Sequence, residues 1–173
     1  MARRNALKPA ILVLLAVNAV AYAATGRFSE GLDALAWYLL LALFELETRR
    51  PHWSRRPRVA TVLDLLRLLA AAAVAFAAAS YVVEGEWLDA TNALLWIGVV
   101  IVLELEVRLP QTAARFRRLL TSSSFALYAA LATVALVWLL RGEWLDAYDA
   151  LLWIAAFALI ELDLLDNGAR VNS

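Results

Sequence analysis

The sequence predicts an all-α, polytopic membrane protein: six transmembrane helices arranged as three antiparallel hairpins, an internal triplication around a pseudo-threefold axis along the membrane normal. Composition is the first observation behind this. Hydrophobic residues make up 64% of the 173-residue chain, against roughly half in a soluble domain, so lipid is the expected solvent for most of it. Repetition is the second. The stretch Gly85-Glu86-Trp87-Leu88-Asp89-Ala90-Thr91-Asn92-Ala93-Leu94-Leu95-Trp96 returns as Gly142-Glu143-Trp144-Leu145-Asp146-Ala147-Tyr148-Asp149-Ala150-Leu151-Leu152-Trp153. A diverged copy runs from Gly26 to Trp37. In each copy a tryptophan follows the glycine by eleven residues and the first acid of a terminal pair follows it by nineteen, which marks a repeated supersecondary unit. The third observation is the placement of cations. Of the 16 lysines and arginines, only Arg27 and Arg141 fall in the turns on one side; the rest fall in the tails, the long connections and the adjoining helix ends. By the positive-inside rule both termini face the cytoplasm.

Taken in order, the basic start carrying Arg3, Arg4 and Lys8 leads into an apolar run over 10–24. That run resembles a secretory signal with a cleavage-like Ala21-Tyr22-Ala23, but it sits where the odd helices of the other units sit, so it is read as the first span. Helix two covers 32–47, and the loop 48–58 carries five arginines and two prolines that oppose helix continuation. Helix three covers 59–83 and includes Ala70-Ala71-Ala72-Ala73, where small side chains allow close backbone approach in lipid. Helix four covers 88–107, a second basic loop 108–118, helix five 119–140 and helix six 145–165. These apolar runs compare with the ~20 residues a helix needs to cross a bilayer. The whole is expected to be one transmembrane domain, 1–173, built of repeats at about 8–48, 59–109 and 117–166. Phe28, Trp87 and Trp144 lie where an interfacial aromatic belt belongs.

Several functions are excluded or disfavoured. The chain has no cysteine and one histidine, His52, so disulfides, thiol chemistry and multi-histidine metal sites are ruled out. No phosphate-binding glycine loop or nucleophile elbow is present. No enzymatic activity, cofactor or metal is expected, and the basic loops are too short to make nucleic acid the main partner. The expected partners are the bilayer itself, anionic lipid headgroups at the arginine loops, Arg49–Arg58 above all, and a second copy or another membrane protein. The expected location is the inner (plasma) membrane of a bacterial-type cell.

Three constellations invite function. An acid pair closes each even helix: Glu45 and Glu47, Glu104 and Glu106, Glu161 and Asp163. Residues two apart on a helix stand about 200° apart, so a pair cannot share one face. Eighteen residues before their glycines, Lys8 and Arg67 are expected to meet the Glu45/Glu47 and Glu104/Glu106 pairs of their own hairpins, with Asp64 one turn from Arg67. Ser124 holds that place in the third unit and leaves Glu161 and Asp163 without a same-hairpin cation. One reading is a set of interfacial ion pairs that pin helices and fix topology. The other is an acidic inner mouth of a cation or proton path.

The second constellation is Asp33, Asn92 and Asp149, each seven residues after its glycine, which suit helix capping and the positive end of the helix dipole. Asp33 and Glu47, fourteen residues apart, also share a stripe that could line either a gated path or a packed core. The third is Trp37, Trp96 and Trp153, read as space-filling or gating indoles between helices. Asn18 and Thr133 are read as interhelical hydrogen bonds. The two functions in view are therefore a small cation or proton channel or transporter with acids at its cytoplasmic mouth, and a non-transporting structural or accessory membrane protein that assembles with a partner or anionic lipid.

Overall fold

The computed structural model describes the backbone of residues 2–49 and 56–171, and the side chains of 7–47, 56–106, 109, 111–112 and 115–159. Among the described residues every regular element is a helix: α1 Ala2–Thr25, α2 Phe28–Arg49, α3 Pro57–Glu84, α4 Trp87–Arg108, α5 Pro110–Arg115, α6 Arg117–Arg141 and α7 Trp144–Val171. At 1.5 Å per residue the six long helices are about 33–42 Å long, enough for a hydrocarbon core of about 30 Å.

Four of them, α1 from Leu7, α3, α4 to Glu106 and α6, are apolar and long enough to cross a membrane, with mean hydropathies of 1.8 to 2.0. Every 18-residue stretch of α2 holds three or more charged residues, drawn from Glu30, Asp33, Glu45, Glu47 and Arg49, which sets it apart from those four. Helix bounds also differ from the sequence expectation. α2 and α3 start earlier than residues 32 and 59, because Phe28 and Pro57 already take helical geometry and proline is favoured in a first turn. The loop 108–118 contains the short helix α5, and α7 runs on past residue 165.

Two of the repeat glycines end their helices in the same way. Gly85 and Gly142 both have φ +80°, a left-handed conformation that costs glycine nothing. Glu86 N–H bonds to Tyr81 O at 2.9 Å and Gly85 N–H to Val82 O at 3.3 Å. Glu143 N–H bonds to Trp138 O at 3.0 Å and Gly142 N–H to Leu139 O at 3.2 Å. This is the Schellman arrangement, in which the last carbonyls of a helix are satisfied by the two residues that follow it. Gly26 differs. Its φ is not positive, and its N–H makes an ordinary helical bond to Tyr22 O at 2.9 Å. The reversal there is fixed from the other side: Glu30, the third residue of α2, accepts the Arg27 N–H at 2.9 Å, as in a capping box.

Burial follows the repeat through all three odd helices. At eleven, eight, seven and four residues before the glycine, α1 buries Leu15, Asn18, Ala19 and Tyr22. The same places in α3 bury Val74, Ala77, Ala78 and Tyr81, and in α6 Leu131, Val134, Ala135 and Trp138. Each of these helices thus buries a small residue at minus seven and an aromatic at minus four. Two of the three even helices bury a three-residue rhythm after the glycine: Ala90, Ala93, Trp96 and Val99 in α4; Ala147, Ala150, Trp153 and Ala156 in α7; α2 buries only Gly31 and Trp37 of it. α1 keeps the odd-helix pattern in full, consistent with its reading as a span.

By contacts the chain divides into 16–90 and a second unit made of 1–15 with 91–173. Within the first, α2 packs along α3; within the second, α6 packs along α7. The α2–α3 contact is antiparallel. As the position on α2 falls from Glu47 to Asp33 to Ser29, its partner on α3 rises from Arg67 to Tyr81 to Glu84.

Candidate functional site

Both ends of the α2–α3 pair carry charge. At the Arg67 end, the guanidinium of Arg67 pairs with Glu47 across the two helices and bonds Asp64 of its own helix at 3.0 Å. The i, i+3 contact with Asp64 is the one its spacing suggests. The contact with Glu47 departs from the expectation that Arg67 meets Glu104 and Glu106 of its own hairpin. Antiparallel packing of α2 on α3 is the reason: it brings the end of α2 level with residue 67.

At the Gly85 end, Arg27 is the centre of a wider network. Its guanidinium contacts Glu30 at 2.6 Å and Asp89 at 3.3 Å, pairs with Glu86, and lies 3.9 Å from Glu84. Ser29, 1% exposed, donates its hydroxyl to Glu84 at 2.8 Å. Partial burial works to lower the Arg27 pKa, but the hydrogen bonds to Glu30 and Glu86 outweigh it and hold the guanidinium above its ordinary value. One cation thus ties the first turn of α2, the last turn of α3 and the first turn of α4. Four carboxylates around it leave the cluster with an excess of three negative charges. Sequence reasoning noted Arg27 only as one of two cations in otherwise acidic turns. The available signal was that Arg27 stands where Glu86 and Glu143 stand in the other two units.

The stripe of Asp33 and Glu47 does exist, and it faces α3. Tyr81 donates to Asp33 at 3.5 Å, the long limit of a hydrogen bond, and Glu47 takes Arg67 four turns away. Trp37 is buried near Asp33. On α4, Glu104 and Glu106 are both exposed, and Glu104 is engaged. Asn92 and Asp149 are half-buried at the sixth residue of α4 and of α7, past the first turn where capping was expected, and Asn92 Oδ1 is buried without a hydrogen bond. Lys8 and Glu45 are half-buried and engaged. Glu161 and Asp163 lie outside the described side chains.

The tryptophans of α4 and α7 come together. Trp96 and Trp153 meet edge to face with ring centroids 6.3 Å apart. Phe157 lies 4.9 Å from Trp96 and 6.2 Å from Trp153, closing a three-ring cluster. Phe157 has no aromatic counterpart in the other units, where Leu41 and Val100 hold its place, which is why the repeat alone did not reveal the cluster. Thr133 bonds back to Ala129 O at 2.8 Å within α6 rather than to a neighbouring helix. Among the described residues no group of three metal-ligating side chains stands close enough to hold an ion. No family model, curated protein or solved structure matches the chain.

Proposed function

We propose that this is a six-span inner-membrane protein, built as three hairpins with both termini in the cytoplasm, whose role is structural or accessory rather than conductive. The observation that carries this reading is the engagement of charge at both ends of the α2–α3 pair. Glu47, one of the acids a path would need at its mouth, is spent sideways on Arg67, and the acids at the opposite end converge on Arg27. Ion pairs so placed pin helices to one another and fix their register. Large apolar side chains such as Val13, Val62, Leu68, Phe76, Leu94 and Phe125 are exposed along α1, α3, α4 and α6, a surface suited to lipid or to the spans of a second membrane protein or a second copy. The arginine-bearing connections would sit at the cytoplasmic headgroups. No cofactor, metal or catalytic step is part of the proposal.

A cation or proton path is the competing reading, supported by the exposed Glu104 and Glu106 and by the repeated acids Glu161 and Asp163. Flux assays in liposomes separate the two. The structural reading expects cation and proton leak at the level of empty vesicles, unchanged by Glu161→Gln with Asp163→Asn. A flux that this double replacement abolishes would overturn it.

A further inference from the structure

The connection between α4 and α6 gathers cations and exposed apolar groups in one short segment. Pro110 opens α5, and the chain bends again at Phe116, where φ is −107° and ψ 20° between α5 and α6. Arg115, Arg117 and Arg118 are all exposed, and the Arg115 guanidinium stands 5.5 Å from the Phe116 ring centroid. Leu109 and Phe116 are about half exposed and Leu119 more so. Helix energetics do not explain the arginines. Arg117 and Arg118 occupy the first turn of α6, the positive end of its dipole, with no acid beside them in that turn. Cations held against a helix dipole and interleaved with exposed apolar groups fit a surface that is anionic outside and apolar beneath.

We propose that residues 109–119 are a phospholipid anchor. Leu109, Phe116 and Leu119 enter the acyl boundary, and Arg115, Arg117 and Arg118 bind the phosphates of anionic lipid headgroups. The anchor rests on the membrane reading above and assigns anionic-lipid recognition to this second connection. A headgroup phosphate takes a forked guanidinium through two parallel hydrogen bonds, which lysine does not reproduce. The anchor therefore discriminates by geometry as well as charge.

Native mass spectrometry of the full chain released from detergent, titrated with phosphatidylglycerol or phosphatidylcholine, tests this. The wild type retains phosphatidylglycerol in preference, and Arg115→Gln, Arg117→Gln and Arg118→Gln together weaken that retention by roughly fivefold per arginine, leaving phosphatidylcholine unchanged. Replacement of the three by lysine, a milder change for folding, recovers only part of the preference. Millimolar inorganic phosphate does not displace the lipid, because it lacks the acyl chains that seat beside Phe116. Equal retention of both lipids by the wild type, full retention by the glutamine variant, or displacement by free phosphate would overturn the anchor. Flotation with neutral vesicles is run in parallel. A protein that floats but shows no anionic preference refutes the anchor alone, and one that fails to float refutes the membrane reading as well.

Discussion

In residues 16–90, α2 and α3 are fastened at their ends by ionic contacts, Glu47 with Arg67 and the Arg27 network with Glu84, Glu86 and Asp89. In residues 91–159, α4 and α7 meet through rings, Trp96, Trp153 and Phe157. Copies of the repeated sequence run through both regions, and α1, α3 and α6 bury the same offsets from their glycines. What differs is the residues the repeat does not share. Arg27 replaces the glutamate found at that place in the other units, and Phe157 replaces an aliphatic residue. Shared positions set which face of each helix is buried; unshared positions choose what it is buried against. Three identical units would have no such preference. An arginine in one turn attracts the acids of the next, and so α2 is drawn to α3.

The aromatic side of the comparison carries the largest single-residue effect. Trp153→Ala removes a nearly buried indole from a three-ring cluster and leaves a cavity. About 3 kcal/mol of stability is expected to be lost, less than in an aqueous core of the same shape because helices in lipid gain little from water exclusion. Phe157→Leu, which restores the residue type of the first unit, is expected to cost about 1 kcal/mol. Unfolding in mixed detergent micelles reads both. A Trp153→Ala loss no larger than that of Trp87→Ala, an exposed indole, would contradict the cluster's importance.

Turn geometry gives the next effect and sharpens the likeness between the second and third units. Gly85→Ala and Gly142→Ala each place a Cβ in open space but at φ +80°, so the cost is backbone strain alone, about 1–2 kcal/mol. The two losses should agree closely. Gly26→Ala follows different physics: its backbone is not left-handed, but the new Cβ would lie 2.7 Å from Tyr22 O and 2.6 Å from Glu30 Oε2. Glu30→Ala should relieve only part of the Gly26 defect, because the contact with the Tyr22 carbonyl remains, and none of the Gly85 defect.

Arg27 comes third. Its side chain is 42% exposed, so each of its ion pairs is screened, and Arg27→Gln is expected to cost only about 1 kcal/mol despite four carboxylates. Salt should reduce that difference. The sign of the pH effect is fixed by the raised pKa. The stabilisation is fully present below the ordinary guanidinium value and is lost only as pH rises through the still higher folded value, so titration of Arg27 itself contributes no slope near neutrality. A wild-type stability indifferent to both Arg27→Gln and salt would leave α2 and α3 without this tie.

Much of the fold was legible because long apolar runs and the helical period constrain sequence strongly. The glycine offsets located both left-handed turns, and the apolar runs located the helices, although α1 begins at Ala2 rather than residue 10 and α7 continues to Val171 rather than ending at 165. The odd-helix face was equally present in the sequence, with Ala19, Ala78 and Ala135 each three residues before an aromatic, but Ala and Leu are too common here for a pattern of small residues to stand out before burial is known. The helix that Arg67 reaches across to was not legible for a more basic reason. Counting from a turn gives depth along a hairpin, and Arg67 has the same depth whether it meets the acids of α4 or those of α2. Depth does not choose the neighbour. That choice depends on lateral packing, for which a single sequence holds only indirect signs such as the lone arginine at position 27.

The smallest effect is the one that decides between those neighbours. Arg67 and Glu47 are 37% and 27% exposed, so their direct coupling should be about 0.5 kcal/mol, near the ordinary range for partly solvated pairs. A double-mutant cycle of Arg67→Gln with Glu47→Gln isolates that term from the separate loss of each charge. The cycles of Arg67→Gln with Glu104→Gln and with Glu106→Gln are the informative controls, because a tie within the hairpin would place the coupling there instead. Asp64 bears on all three, since it bonds the same guanidinium but is 74% exposed and contributes little itself. Removing it should raise the Arg67–Glu47 coupling slightly, as Arg67 is then left with one carboxylate instead of two. Coupling found with Glu104 or Glu106 and absent with Glu47 would move the clamp from between repeats to within one, and the argument that unshared residues choose the neighbours would lose its clearest case.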